Sequence, residues 1–290
     1  MRKVINYGDK ISENLIVALG YFDAVHKGHQ EVLAKTVSLA KERNLTSAVL
    51  IFFGGKQGKD IFTLSERVRK IFATGIEVII VKELTPDFLN QTKFEFLNDM
   101  SSIYKIDAVV SGSDFKFGKN ASGNVETLIE RFGDDNVYTV NLVLNGENKI
   151  SSTAIKNALI NGDIFLANSL LGGNYFISSK VIKGKMLGKT IGFPTANMVL
   201  DSDKLNIKNG VYITFTIIDG KLYKCITNFG AQPTVNGGKT VVETYIDGFI
   251  GDLYDKVLTV YFVEFLREIK KFDSVEELKQ QLLKDLGSIK

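Results

Sequence analysis

Leu15-Ile16-Val17-Ala18-Leu19-Gly20-Tyr21-Phe22-Asp23-Ala24-Val25-His26-Lys27-Gly28-His29-Gln30-Glu31-Val32-Leu33 decides how the first half of the chain folds. The apolar run Leu15 to Leu19 ends at Gly20, the pattern of a buried strand closed by a turn. A helix-like segment, Glu31 to Arg43, follows. Strand, turn and helix together make the first half of a βαβ unit. Both histidines of the chain lie in this turn, three residues apart around Gly28. A helix start offers unpaired N–H groups and partial positive charge, and a glycine lets a ligand approach the backbone closely. Residues three apart near a first helical turn stand side by side. Two imidazoles so placed suit phosphate oxygens and the charge that builds at phosphorus, where one preorganised donor is worth ~2.7–4 kcal/mol of barrier. Two other readings stay open on these residues alone. The histidines cap the helix, or with Asp23 they hold a metal, although no second cluster of His or Cys exists to complete tetrahedral ligation.

Outward from this stretch, apolar strand-like runs alternate with amphipathic helical ones as far as Tyr138. The strands are Leu15–Leu19, Ser47–Phe53, Glu77–Val81, Asp107–Ser111 and Asn136–Val140. The helices between them are Leu64–Thr74, Lys93–Tyr104 and Val125–Phe132. Such alternation implies a parallel sheet covered on both faces, with ligands bound beyond the carboxyl ends of the strands. The loop Gly112-Ser113-Asp114-Phe115-Lys116-Phe117-Gly118 falls at such an end. Alone, it reads equally as a tight turn with two buried phenylalanines. Further on, Ser152 or Thr153 is a plausible N-cap for a helix running to about Asn161, and hydroxyls with a cation there, Lys156, also suit a triphosphate.

Asp163 to Gly173 is a short connecting helix stopped by Gly172-Gly173. The pattern then changes to closely spaced β-segments, Tyr175–Ile182, Val211–Ile218, Tyr223–Phe229, Thr240–Ile246 and Lys256–Phe265. Asp219-Gly220 and Asn236-Gly237-Gly238 separate several of them, which argues for a small antiparallel barrel. Ser274 to Leu286 is a terminal helix with Ser274 and Glu277 as a capping box. The fold class expected is therefore α/β: an N-terminal Rossmann-like domain with a parallel sheet over residues 1–173, then a C-terminal antiparallel β-barrel with a terminal helix over residues 174–290.

Within the second half, Gly184-Lys185-Met186-Leu187-Gly188-Lys189-Thr190-Ile191-Gly192-Phe193-Pro194-Thr195-Ala196-Asn197 can wrap a polyphosphate, since glycines and lysines precede a strand. It is not a Walker A loop. Thr195 and Asn197 share one face of that strand, and their oxygens are hard ligands suited to magnesium held jointly with phosphates. In Val241-Val242-Glu243-Thr244-Tyr245-Ile246, Glu243 shares a face with Val241 and Tyr245. A carboxylate there, partly shielded from water, could gain basicity toward a hydroxyl; a solvent-facing charge on a barrel is the other reading.

Composition sets wide bounds. The chain of 290 residues is 44% hydrophobic and 24% charged, which is ordinary for a soluble globular protein. A net charge of +3 is too small to argue for a nucleic-acid or membrane partner. The single cysteine, Cys225, permits no internal disulfide and reads as a small buried apolar residue. No apolar run reaches membrane-span length, and the first residues lack a signal-peptide core, so a cytoplasmic location is expected.

Several of these motifs resemble one family. Gly20 to His29 resembles the nucleotidyltransferase signature of the bacterial bifunctional riboflavin kinase/FAD synthetases. Gly112 to Gly118 is similar to its G-x-D/N-F-x-F-G element. Ile150-Ser151-Ser152-Thr153 is similar to its I-S-S-T-x-x-R. Gly184 to Asn197 carries its kinase signature G-x-x-x-G-K-x-x-G-F-P-T-A-N intact. Gly210-Val211-Tyr212, Asn228-Phe229-Gly230 with Pro233-Thr234, Glu243, Gly251-Asp252-Leu253-Tyr254, Leu266-Arg267 and Lys271-Phe272 follow in order. The resemblance implies ATP-dependent phosphorylation of riboflavin to FMN and adenylylation of FMN to FAD. It implies His26, His29 and Glu243 as catalytic residues, with Glu243 as general base. Nucleotide and phosphate would meet Gly20, Phe22, Asp23, Gly28, Ser152, Thr153, Lys156, Gly184, Lys185, Gly188, Lys189, Pro194, Thr195 and Asn197. Flavin would meet Asp114, Phe115, Phe117 and Arg267. Magnesium would sit with ATP on Thr195 and Asn197. Partners would be these small molecules, with no nucleic acid and no membrane; weak self-association stays open.

The chain departs from the family at Tyr21, usually Asn, and at Ala24, usually Gly. It also departs at Ala154 and Lys156, where arginines are usual, and at Phe53-Gly54-Gly55, where the family has an F-D/E-P-x-P turn. These departures open an alternative, a riboflavin kinase whose adenylyltransferase domain is weakened or inactive. A non-catalytic flavin- or nucleotide-sensing regulator is a third reading, against which stands the intact Thr195, Asn197 and Glu243 set.

Overall fold

The computed structural model describes residues 2–55, 58–146, 148–184, 188, 192–231 and 240–289. The chain divides into two compact units, Met1–Ser152 and Thr153–Lys290.

The first unit is built on a six-stranded sheet of β1 (Lys3–Asn6), β2 (Leu15–Leu19), β3 (Thr46–Phe53), β4 (Val78–Glu83), β5 (Ile106–Gly112) and β6 (Val137–Val140). The spatial order is β1-β4-β3-β2-β5-β6, and every pairing is parallel. Alternate residues of the strands feed two separate cores. Val17, Leu50, Ile80 and Val109 meet α4 (Lys93–Ile103) through Phe96, Leu97 and Met100. Ile16, Val49, Ile79 and Ala108 meet α1 (Lys27–Arg43) and α2 (Leu64–Ala73) through Val32, Leu33 and Ile71. A strand covered on both faces must be apolar throughout, which is why Leu15–Leu19 reads as an unbroken run. The order steps from β2 to β3 and β4 on one side and to β5 and β6 on the other. The carboxyl ends of adjacent β2 and β5 are thus the switch point at which ligands bind in such sheets.

Several short elements were not anticipated, and one expected strand takes a place in the barrel that the sequence did not specify. β1 is a four-residue edge strand of alternating half-buried and exposed residues, too short for its pattern to stand out. β10 (Thr195–Val199) was expected only as a strand face for Thr195 and Asn197, and it joins the barrel between β9 (Phe176–Ile182) and β13 (Thr240–Ile246).

In the second unit, α6 (Ser152–Asn161) and α7 (Ile164–Leu171) precede the barrel. The closed order is β10-β13-β12-β11-β14-β9, with β11 Gly210–Ile218, β12 Lys221–Ala231 and β14 Val257–Arg267, all antiparallel. Its interior carries a hydroxyl relay, Thr214 to Thr227 at 2.7 Å and Thr227 to Thr244 at 3.0 Å. Cys225 is buried, and burial pushes its thiol up to about 12. The terminal helix α8 runs Val275–Gly287, with Ser274 capping the Glu277 N–H. The return arm of the expected capping box is displaced: the Glu277 carboxylate accepts from the Asp273 N–H instead.

Candidate functional sites

In the first unit, the turn after β2 is held in a strained conformation. Phe22 has φ 52° and Val25 φ 45°, a left-handed backbone that a β-branched residue adopts at a cost of order 1–3 kcal/mol. Packing imposes it, since both side chains are fully buried in the core between the sheet and α1. Gly20 has no room for a side chain, because a Cβ would stand 2.8 Å from the Phe22 ring. The turn delivers His26 to the N-cap of α1, where its Nδ1 accepts the His29 N–H at 3.2 Å. The capping reading is therefore correct for His26, and it does not compete with a phosphate role. The two imidazoles stack at 3.7 Å with planes 12° apart, and Phe22 backs His29 at 4.9 Å. Gly28 lies beneath His26, whose ring a Cβ would meet at 3.2 Å.

Burial lowers the His26 pKa to about 4, so the ring is neutral near pH 7. An accepting Nδ1 places the single ring proton on Nε2, which is therefore a donor. Asp23 is buried with Oδ1 accepting the Ile61 N–H at 2.8 Å, a contact that ties the histidine turn to the segment before α2. Among the described residues no group of His, Cys, Asp and Glu could hold a metal, which leaves the metal reading of His26, His29 and Asp23 without support.

Beside this turn lies a cavity of about 210 Å³ lined by Tyr21, Phe52, Leu84, Phe88, Phe96, Phe115 and Phe117 among others. Phe115 and Phe117 stack at 5.6 Å, and Phe96 packs on Phe117. Flat aromatic walls suit a planar heteroaromatic ring. Asp114 stands exposed in an ion pair with Lys149. Gly54 and Gly55 take positive φ values of 68° and 62°, and a Cβ on Gly55 would strike the Leu84 carbonyl at 2.2 Å. Gly55, where the family turn it resembles has its first proline, thus passes directly against Leu84 of the cavity wall. Ser152, Thr153 and Lys156 all lie on α6, with Ser152 the last residue of the first unit and Thr153 and Lys156 in the second.

In the second unit, strand register assembles the site. Asn197 pairs with Glu243, Glu243 with Asn228, Asn228 with Val211, and Val211 with Arg267. Directly paired residues point to the same face, so one row crosses five strands on the barrel's outer surface. All five line a cavity of about 400 Å³, together with Gly188, Thr195, Tyr245 and, from α8, Leu278, Leu282 and Asp285. The Asn197 amide nitrogen is turned onto the Thr195 carbonyl and hydroxyl at 3.1 and 3.2 Å, which directs its oxygen the other way. Gly184 is pressed against this amide, 2.6 Å from a would-be Cβ, and Gly188 against the Phe193 carbonyl. Pro194 is exposed beside them. Lys185, Lys189, Pro233, Thr234 and the Asn236-Gly237-Gly238 turn lie outside the described residues.

Comparison with known proteins decides what these two sites belong to. A riboflavin kinase family model matches residues 171–290 and an FAD synthetase model residues 8–154. A bifunctional riboflavin kinase/FMN adenylyltransferase of Bacillus subtilis is 33% identical over 93% of this chain and 90% of its own length. The protein of the same description from Haemophilus influenzae is 32% identical, covering 99% and 96%. The chain belongs to the bifunctional riboflavin kinase/FMN adenylyltransferase family.

A solved chain from Streptococcus pneumoniae, described as a macrolide-efflux protein, is also similar. It is 30% identical, covers 98% of this chain and 97% of its own, and has a TM-score of 0.87. No described helix of the present chain is long and apolar enough to cross a membrane.

Several residues at the two sites were given no role from sequence, Asn228 among them although it stands in the matched Asn228-Phe229-Gly230. Asn228 stands 3.5 Å from the Glu243 carboxylate, and only strand register reveals it as Glu243's neighbour. Asp285 takes a bidentate contact from Arg267, at 3.0 and 3.2 Å from Nε and 2.7 Å from Nη2, and Gln281 steadies it at 2.8 Å. Phe52 and Phe88 read as core positions, and only their place at one strand edge makes them cavity walls.

Proposed function

We propose that the two reactions of this family run on the two cavities described, riboflavin phosphorylation in the second unit and adenylylation of FMN in the first. The observation that carries the kinase reading is the register row Asn197–Glu243–Asn228, which sets a carboxylate between two amides inside one cavity. The ribityl 5′-hydroxyl oxygen of riboflavin attacks the γ-phosphorus of ATP, its bond to the ADP oxygen breaks, and Glu243 takes the hydroxyl proton. Asn228 orients the Glu243 carboxylate. The apolar side of the cavity, Val211, Ile226, Leu278 and Leu282, takes the flavin ring, with Arg267 at its edge. Gly184 and Gly188 let the polyphosphate lie against backbone, and Lys185 and Lys189 supply charge.

The Thr195 hydroxyl and the Asn197 amide oxygen are hard donors on one strand face beside Glu243, a set that fits magnesium shared with ATP phosphates. Bound there, magnesium neutralises phosphate charge.

In the first unit a phosphate oxygen of FMN attacks the α-phosphorus of ATP and pyrophosphate leaves. His26 donates from Nε2 to the α-phosphoryl oxygens as negative charge grows, with His29 stacked beside it, and Ser152 contributes to triphosphate binding. The flavin ring occupies the aromatic cavity of Phe115 and Phe117. A neutral donor suits this role because its hydrogen bond strengthens as negative charge develops on the accepting oxygen.

The test is FAD formation by Phe115→Ala and riboflavin phosphorylation by Asn197→Asp. The first loses FMN affinity only in adenylyl transfer and the second loses turnover only in phosphorylation. A defect of either variant in the other reaction contradicts the assignment. The alternative of a weakened adenylyltransferase rests on Ala154, on Lys156, since lysine neutralises phosphate charge without the bidentate fork of arginine, and on the missing F-D/E-P-x-P turn.

A further inference from the structure

Arg67, on α2, has its side chain wholly buried. Its Nη1 donates to the carbonyl oxygens of Phe52 at 2.8 Å and Tyr21 at 3.1 Å. The guanidinium lies 5.5 Å from the centre of the Tyr21 ring, and the Asp60 carboxylate is 4.0 Å from Nη2. Asp60 also faces the Tyr21 hydroxyl, which burial and that charge push up to about 12. Phe52 lies at the end of β3 and Tyr21 just past the end of β2, neighbouring strands of the sheet. Both line the aromatic cavity, and Tyr21 opens the turn that carries His26 and His29.

A buried cation without a tight ion pair is expensive, and an apolar residue of similar length would fill the space more cheaply. The charge at Arg67 therefore needs another account than packing. Its contacts supply one. A single guanidinium nitrogen bridges the carbonyls at two adjacent strand ends, and the same group lies over the Tyr21 ring. We infer that Arg67 is a positioning residue of the adenylyl-transfer site. It sets Tyr21 and Phe52 as the wall against which the flavin ring rests, and it touches neither substrate nor the reacting atoms. Tyr21, where the family usually has asparagine, is the face through which it acts. This inference rests on the reading of the aromatic cavity as the FMN site.

Steady-state kinetics of FAD formation on the full chain test it, with riboflavin phosphorylation by the same preparation as internal control. Arg67→Met is expected to raise KM for FMN about tenfold or more, with kcat and KM for ATP near wild type. Arg67→Lys restores part of the loss by returning a donor to the two carbonyls. Tyr21→Leu raises KM for FMN to a similar degree, and the double variant adds little to either single change, because both act on one wall. The inference is overturned if KM for FMN stays within about twofold in Arg67→Met, or if kcat and both KM values move together, as general loosening would cause. Should Arg67→Met fail to fold, Arg67→Lys and Tyr21→Leu decide by the same criteria. Phe88→Ala separates the two levels. If it raises KM for FMN while the Arg67 variants do not, Arg67 alone is wrong; if Phe88→Ala is also silent, the cavity is not the FMN site and both readings fall.

Discussion

His26 caps α1 through Nδ1, and that hydrogen bond leaves the ring proton on Nε2, the donor that the proposed adenylyl transfer uses. His26→Asn keeps a capping acceptor and removes the donor. FAD formation should then fall about 10²–10³-fold while riboflavin phosphorylation is unchanged. The same residue makes a pH prediction. Its folded pKa, about 4, lies below the unfolded value of about 6.5, so the unfolded chain takes up the proton first as pH falls. Stability attributable to neutral burial is complete above pH ~6.5 and is lost between there and about pH 4, on the order of 3 kcal/mol. Denaturant melts across that range should show a shallower decline for His26→Asn; parallel declines would contradict the assignment. At Glu243 the corresponding test is Glu243→Gln, expected to lower phosphorylation about 10²–10⁴-fold with riboflavin binding retained. Near-normal turnover would remove Glu243 from the role.

At the scale of elements, the terminal helix lines the cavity proposed for phosphorylation and is not an appendage. Leu278, Leu282 and Asp285 line it, and Asp285, 2% exposed, fixes Arg267 at the end of the five-strand row. Asp285→Ala leaves a largely buried guanidinium without its partner and should destabilise the second unit by about 3 kcal/mol. KM for riboflavin should rise with it; a thermal melt and kinetics that match wild type would refute this. How legible these elements were follows from their patterns. The unbroken apolar runs of β2, β3 and β5 and the alternation of β11 and β13 could be read because each buries a full face or two. β1 was missed because an edge strand of four residues alternates too briefly. Thr195, Asn197 and Glu243 could be chosen by residue type, but Asn228 and Asp285 could not. Their importance depends on strand register and on where a helix docks, and neither is a local property of the chain. The same holds for Arg67, which in sequence is one cation among several on an amphipathic helix.

At the scale of the whole molecule, one chain carries two phosphate chemistries on two unlike folds. A parallel sheet concentrates backbone donors and loops at one edge, and there the chain puts its histidines and its aromatic cavity. A closed barrel has no free edge, so its site is written across the outer face of several strands and roofed by a helix. The variants named above should therefore separate the two reactions cleanly, since each perturbs one unit. The most direct measurement is a time course of flavin products from the purified chain with riboflavin, ATP and magnesium, run beside His26→Asn and Glu243→Gln. Wild type should make FMN and then FAD, His26→Asn should stop at FMN, and Glu243→Gln should leave riboflavin unconverted yet still turn added FMN into FAD. FMN as the sole wild-type product, with added FMN also unconverted, would contradict the account of the first unit; no phosphorylated flavin at all would contradict both.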